Sequence, residues 1–190
     1  MRAGAIVLLA LVSLVATDSL AQDAGVPPPT ADVIAPGEAV DFDIEETSGV
    51  TRNLRDLRGR VVILWYEDRA HTDTNYSMKL ELHQFIEDNH LSGDITTYGI
   101  ADVQGLDGMI RDMARAAIRA MASQYGIQIL LDWEAVMQRA PFACTEGDAN
   151  FLLVDRQGRI RYRHLGVLDG ASRSEMYRVL RRLLHEPATP

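Results

Sequence analysis

The stretch GRVVILWYEDRAHTDTNYSMKLELHQF, Gly59 to Phe85, decides the fold. A glycine turn feeds Val61–Tyr66, a run of β-branched, aliphatic and aromatic residues with no polar alternation. A strand buried on both faces has this composition, and such strands sit at the centre of a sheet with parallel neighbours. The polar loop EDRAHTDTN follows, and then Met78, Leu82, Phe85 and Ile86 recur at helical spacing. That spacing predicts an amphipathic helix from about Asn75 to His90.

On the C-terminal side, LSGD breaks this helix and ITTYGIADV, from Ile95, reads as the next strand. Met109, Ile110, Met113, Ala117, Ile118, Met121 and Tyr125 then trace one face of a long helix, which Gly126 is placed to end. IQILLD is another strand, and WEAVMQRA reads as a short helix stopped by Pro141. ANFLLVDRQGRIRYRHLG, from Ala149, is a hairpin around an RQG turn, with Ile160, Tyr162 and His164 on one face of its second strand. Ser172 and Glu175 have capping-box spacing ahead of a terminal helix carrying Met176, Val179, Leu180, Leu183 and Leu184. On the N-terminal side, VDFDIEETSGVTRNL alternates and turns at Ser48-Gly49, a hairpin leading into the domain. Strand-helix alternation, an antiparallel hairpin and a closing helix together predict an α/β fold with a mixed sheet covered on both faces.

The chain has 190 residues. Arg2, the apolar AIVLLALVSLVA and the small residues Ser19 and Ala21 predict a secretory signal peptide over 1–21, cleaved after Ala21. Residues 22–39, rich in Pro, Ala and Asp, read as an exposed extended arm, 40–186 as the one globular domain and 187–190 as a tail. The predicted destination is the periplasm of a bacterium or its exterior. A net charge of −8 disfavours nucleic acid or an anionic membrane as main partner. The single cysteine, Cys144, excludes any disulfide or two-cysteine cycle within one chain.

Three segments carry a resemblance. LRDLRGRVVILWYEDR is similar to the L-x-x-L-x-G entry into the central strand of the thioredoxin-like superfamily. NFLLVDRQGRIRYRHLGVL is similar to that superfamily's D-x-x-G hairpin, and GVLDGASRSEMYRVLRRLL to its last helix. The chain from Val40 to His185 thus resembles the redoxins, in particular the periplasmic YtfJ-like branch. The resemblance implies a thioredoxin-like mixed β-sheet flanked by helices, with an N-terminal β-hairpin added. It also marks what is missing. Thioredoxin-like oxidoreductases carry Cys-x-x-Cys, and peroxiredoxins one cysteine, where the central strand enters its helix. There the helix N-terminus lowers a thiol's pKa. Here that place reads EDRAHTDTN. The family's cis-proline just before the hairpin strand is likewise absent at Ala149 and its neighbours.

Few residues remain for chemistry. Cys144 is the only candidate nucleophile, with Glu146 beside it disfavouring a thiolate. Glu67, Asp68, His71 and Asp73 are oxygen and imidazole groups suited to a divalent cation, without a metal-binding spacing. His83 and His90 read as surface histidines. Arg111, Arg115 and Arg119 on the long helix, Arg159, Arg161 and Arg163 on the hairpin, and Arg178, Arg181 and Arg182 on the last helix read as solvated basic faces or as an anion or acidic-partner surface. No phosphate loop, nucleophile elbow or zinc spacing occurs, and no cofactor is implied. The sequence therefore points to a redox-inactive thioredoxin-like protein acting by binding an envelope partner. The alternatives are a redoxin using Cys144 with an external resolving thiol, and a metal- or anion-binding module.

Overall fold

A computed structural model describes residues 31–187. The expected signal peptide (1–21), most of the arm and the end of the tail lie outside the described residues. The elements are β1 (Ala31–Val33), β2 (Asp43–Glu46), β3 (Thr51–Asn53), β4 (Val61–Glu67), α1 (Tyr76–Asp88), β5 (Ile95–Asp102), α2 (Gly108–Tyr125), β6 (Ile129–Asp132), β7 (Asn150–Val154), β8 (Ile160–Leu165) and α3 (Gly170–His185). They form one mixed sheet in the order β1-β8-β7-β4-β5-β6-β2-β3.

The run Val61–Glu67 is the central strand, buried at every residue. It pairs parallel with β5 but antiparallel with β7, so the expected parallel neighbour exists on one side only. Alternate side chains divide the core. Val62, Leu64 and Tyr66 join one cluster with Phe42, Ile100, Leu130, Phe142, Leu152 and Cys144. Val61, Ile63 and Trp65 join the other with Met78 and Leu82 of α1 and Met176, Val179, Leu180 and Leu183 of α3. The α1–α3 face is tied by aromatic contacts, Trp65 against Phe151 at 4.5 Å between ring centroids and Phe85 edge-on to Tyr177 at 5.3 Å. The opposite face is closed by irregular chain: Val40 and Phe42 before the hairpin, and Met137, Phe142 and Cys144 in the β6–β7 connection.

Several expectations need correction. The arm assigned to 22–39 contains β1, which pairs with β8 as an edge strand, and Ile34 N–H continues the ladder onto the Arg161 carbonyl. Three residues are too few for periodicity to reveal. With β1 beside it, β8 is not the sheet edge, and two of the hairpin arginines expected on a solvated face are engaged in ion pairs. Arg161 is buried between Asp155 (3.0 Å) and Glu186 (2.8 Å), and Arg159 pairs with Asp155 at 2.9 Å. A bulge between Leu153 and Val154 breaks the β7–β8 register, which puts Ile160 in one cluster and Tyr162 in the other. WEAVMQRA makes no helix; the Asp132 carboxylate accepts from Val136 N–H and Met137 N–H and winds the segment into turns. The cap of α3 is Asp169, accepting from Ser172 N–H at 2.9 Å, rather than Ser172 itself. Glu175 pairs instead with Arg178.

The long helix departs furthest from its reading. Gly126 does end α2, in the left-handed region at φ 65°. However, the helix buries only Ala122, and Met109, Ile110, Met113, Met121 and Tyr125 are exposed. Two of its three arginines, Arg111 and Arg115, face the protein. Arg115 makes a two-pronged ion pair with Glu45 (2.5 and 2.9 Å), and Arg111 and Arg115 lie over the Trp133 ring at 4.3 and 5.5 Å. The Arg111–Arg115–Arg119 stripe expected on the solvent side is thus turned inward for two of its three members. The cause is the surface offered by β2 and β6, where Glu45 and the Trp133 indole, itself donating to Glu45 at 3.0 Å, recruit guanidinium groups. That contact holds Glu45 below its ordinary carboxylate range, chiefly through the Arg115 hydrogen bond.

Candidate functional site

The β4–α1 junction is where this architecture presents a helix N-terminus at the end of the central strand, and it is the place to look for chemistry. Glu67, the last residue of β4, is 7% exposed. It accepts from Lys79 Nζ at 2.5 Å, and Lys79 also donates to the Thr72 carbonyl at 2.8 Å. The ammonium stands 5.4 Å from the Trp65 ring centroid. Glu67 Oε1 is buried with no hydrogen-bond partner. Burial pushes the Glu67 carboxyl above its ordinary range and outweighs the Lys79 charge, while exposed Asp73 adds to the rise.

Asp68 and His71 form a second, half-exposed pair. Asp68 Oδ1 accepts from the His71 backbone N–H at 3.0 Å and lies 2.6 Å from its Nδ1. Partial burial opposes ionisation of Asp68, but the His71 contacts win and hold its carboxyl below the usual range. The structure therefore brings Glu67 to Lys79 and Asp68 to His71 but does not unite the four acidic and imidazole groups. Asp73 is exposed, and only its backbone carbonyl is used, by Tyr76 N–H. Among the described residues no group of three or more His, Cys, Asp or Glu side chains could hold a metal ion.

Asn75, Lys79 and Asn150 went unnoticed in the sequence. Asn75 is buried at the start of α1; it donates to the Gly166 carbonyl at 3.0 Å and accepts from Leu168 N–H at 2.9 Å, fastening the junction to the β8–α3 connection. Asn150 accepts from Thr145 N–H and donates to its carbonyl, both at 2.8 Å, shaping the loop before β7. Nothing in a single Asn or Lys distinguishes such roles in sequence, and the partners of Asn75 lie up to ninety-three residues away. Behind the junction, Gln138 bridges Tyr66 Oη (2.8 Å) and Asp102 (3.1 Å), and burial raises the Tyr66 hydroxyl pKa.

Cys144 lies elsewhere. It belongs to the core cluster on the face away from α1, is 5% exposed, and donates its backbone N–H to the Met137 carbonyl at 2.8 Å. Burial pushes its thiol up to about 12. A thiol so placed is protonated at neutral pH and shielded from collision, the opposite of a nucleophile at a helix N-terminus. Ala149 stands just before β7, and a cis-proline, not expected from the sequence, occurs at Ala140–Pro141 within the β6–β7 connection. His83 and His90 are exposed, as expected. No helix among the described residues is long and apolar enough to cross a membrane.

No family model matches the chain, and no curated protein matches it. Solved structures do. A DsbF homologue from Corynebacterium diphtheriae superposes with a TM-score of 0.61 at 13% identity, over 84% of this chain and 96% of that one. A secreted thiol-disulfide isomerase from Corynebacterium glutamicum gives 0.60 at 17% identity, over 85% and 96%. The exposed lipoprotein thioredoxin of Streptococcus pneumoniae gives 0.54 at 14%, over 76% and 100%. At these identities the likeness is one of fold: a thioredoxin-like α/β architecture.

Proposed function

We propose that the chain is a redox-inactive thioredoxin-like domain, related to the periplasmic YtfJ-like redoxins, that is exported by its signal peptide and acts by binding a protein of the bacterial envelope. The observation that carries this reading is the exchange at the β4–α1 junction. The place where the fold exposes sulfur holds the Glu67–Lys79 and Asp68–His71 pairs, and the one thiol is buried on the far face. Lys79 is engaged by two acceptors, and among the described residues the side-chain partners of Glu67 and Asp68 are Lys79 and His71, not a hydroxyl or thiol they could activate. Thiol-disulfide exchange needs an accessible thiolate, and Cys144 supplies neither property.

The reading is tested by reductant-linked disulfide and peroxide turnover of the purified protein beside Cys144→Ser. Both proteins are expected to turn over at the uncatalysed rate, and native Cys144 to react with a thiol reagent far more slowly than in urea. Turnover that disappears in the variant would instead make this a one-cysteine oxidoreductase with an external resolving thiol, a reading in keeping with the structural likeness to a secreted thiol-disulfide isomerase of Corynebacterium glutamicum.

A further inference from the structure

We propose that α2 is a dimerisation element: two copies of the chain pair their α2 helices antiparallel about a two-fold axis, apolar face to apolar face, with Asp112 of each copy against Arg119 of the other. Met109, Ile110 and Met113 are 75%, 60% and 65% exposed, and Ala116, Ala117, Ala120 and Met121 continue the same exposed surface. A contiguous apolar surface of this kind on a helix, beside the equally exposed Ile127, marks a contact site. Rotation of the helix cannot hide it, because Arg111 and Arg115 are held inward by Trp133 and Glu45.

The charges on the rim select a second copy as the occupant. Asp112 and Arg119 are seven residues apart, two helical turns, and so stand along one edge of the apolar face. Neither makes an ion pair among the described residues. An antiparallel two-fold pairing sets this edge against the same edge of the second copy, and the register that matches Asp112 with Arg119 occurs twice by symmetry. It also sets Ile110 against the second copy's Met121 along the other rim, while the exposed alanines Ala116, Ala117 and Ala120 near the middle of the helix allow a close approach. The dimer stands independently of the envelope-binding reading, since it uses α2 and not the β4–α1 junction.

Sedimentation velocity on protein expressed from the complete reading frame, purified as its host processes it, tests this. The expected result is a concentration-dependent dimer that Met113→Glu dissociates. Asp112→Arg and Arg119→Asp each place like charges together twice per dimer and are expected to weaken it by roughly tenfold or more. An equimolar mixture of these two variants is expected to recover wild-type affinity, because each reversed charge then meets its complement across the axis. That recovery also shows that both variants are folded. A wild-type chain that stays monomeric at several hundred micromolar overturns the proposal. So does a dimer indifferent to Met113→Glu, or one whose single-variant defects persist in the mixture.

Discussion

The helices α3 and α2 carry apolar residues at the same period, yet only α3 hides them. Met176, Val179, Leu180 and Leu183 of α3 are fully buried against β7 and β8, whereas α2 buries Ala122 alone. The difference lies in what each helix lands on. Beneath α3 the sheet presents Phe151, Leu153 and Tyr162, and the Tyr162 hydroxyl donates to the Ser172 carbonyl at 2.9 Å. Beneath α2 the adjoining surface presents Glu45 and Trp133, which bind guanidinium groups and turn the Met and Ala side outward. Hydrophobic periodicity reports that a helix has two unlike faces; it does not report which of them meets the sheet.

This contrast can be tested on the monomer, at concentrations below any self-association. Leu180→Ala on α3 is expected to cost about 2–5 kcal/mol in urea unfolding, the transfer and cavity terms of a fully buried leucine. Lys79→Met at the β4–α1 junction comes next, at about 1–3 kcal/mol at neutral pH, because it leaves the buried Glu67 carboxylate without its donor. Its pH dependence has a definite sign. The folded pKa of Glu67 lies above its ordinary value of 4.5, so protonation favours the native state. Its contribution is complete below 4.5 and is lost as pH rises through the raised value. Removing Lys79 raises that value further. The gap between variant and wild type should therefore widen from pH 4.5 towards neutrality and nearly close below it; a gap independent of pH would show that Lys79 acts by packing alone.

Gly126→Ala is expected to cost about 1 kcal/mol, because a Cβ at φ 65° is strained although nothing lies within 4 Å of it. Met113→Ser should change monomer stability by less than about 0.5 kcal/mol, as at any exposed site without a partner. A cost approaching that of Leu180→Ala in dilute protein would mean that α2 packs as α3 does.

Residues 59–85 made the centre of this protein legible before any coordinates. A short unbroken apolar run rich in β-branched and aromatic residues and bounded by a glycine turn reads as a strand covered on both sides, and the polar loop and periodic helix after it imply a crossover to a parallel neighbour. The missing thiol was legible too, since a position without cysteine cannot perform cysteine chemistry. The N-terminal hairpin, the β7–β8 turn and the Gly126 stop follow from local turn and cap chemistry, which is written in a few adjacent residues. The site was less legible. Glu67, Asp68, His71 and Asp73 stood out as groups of the right type, but the Lys79 partner of Glu67, the separate pairing of Asp68 with His71, and the anchoring by Asn75 and Asn150 come from contacts that composition does not encode.

What the sequence determined by itself was therefore most of the elements, their order, and the presence of a single cysteine, because these depend on local propensity, periodicity and residue identity. Only the tertiary structure decided that Cys144 is sealed in the core, that β1 turns β8 from an edge into an interior strand, and that α2 presents its methionines to solvent. Each of those outcomes depends on which surface a distant segment offers. Burial and orientation are properties of pairs of elements, and a single chain read in order contains only one member of each pair at a time.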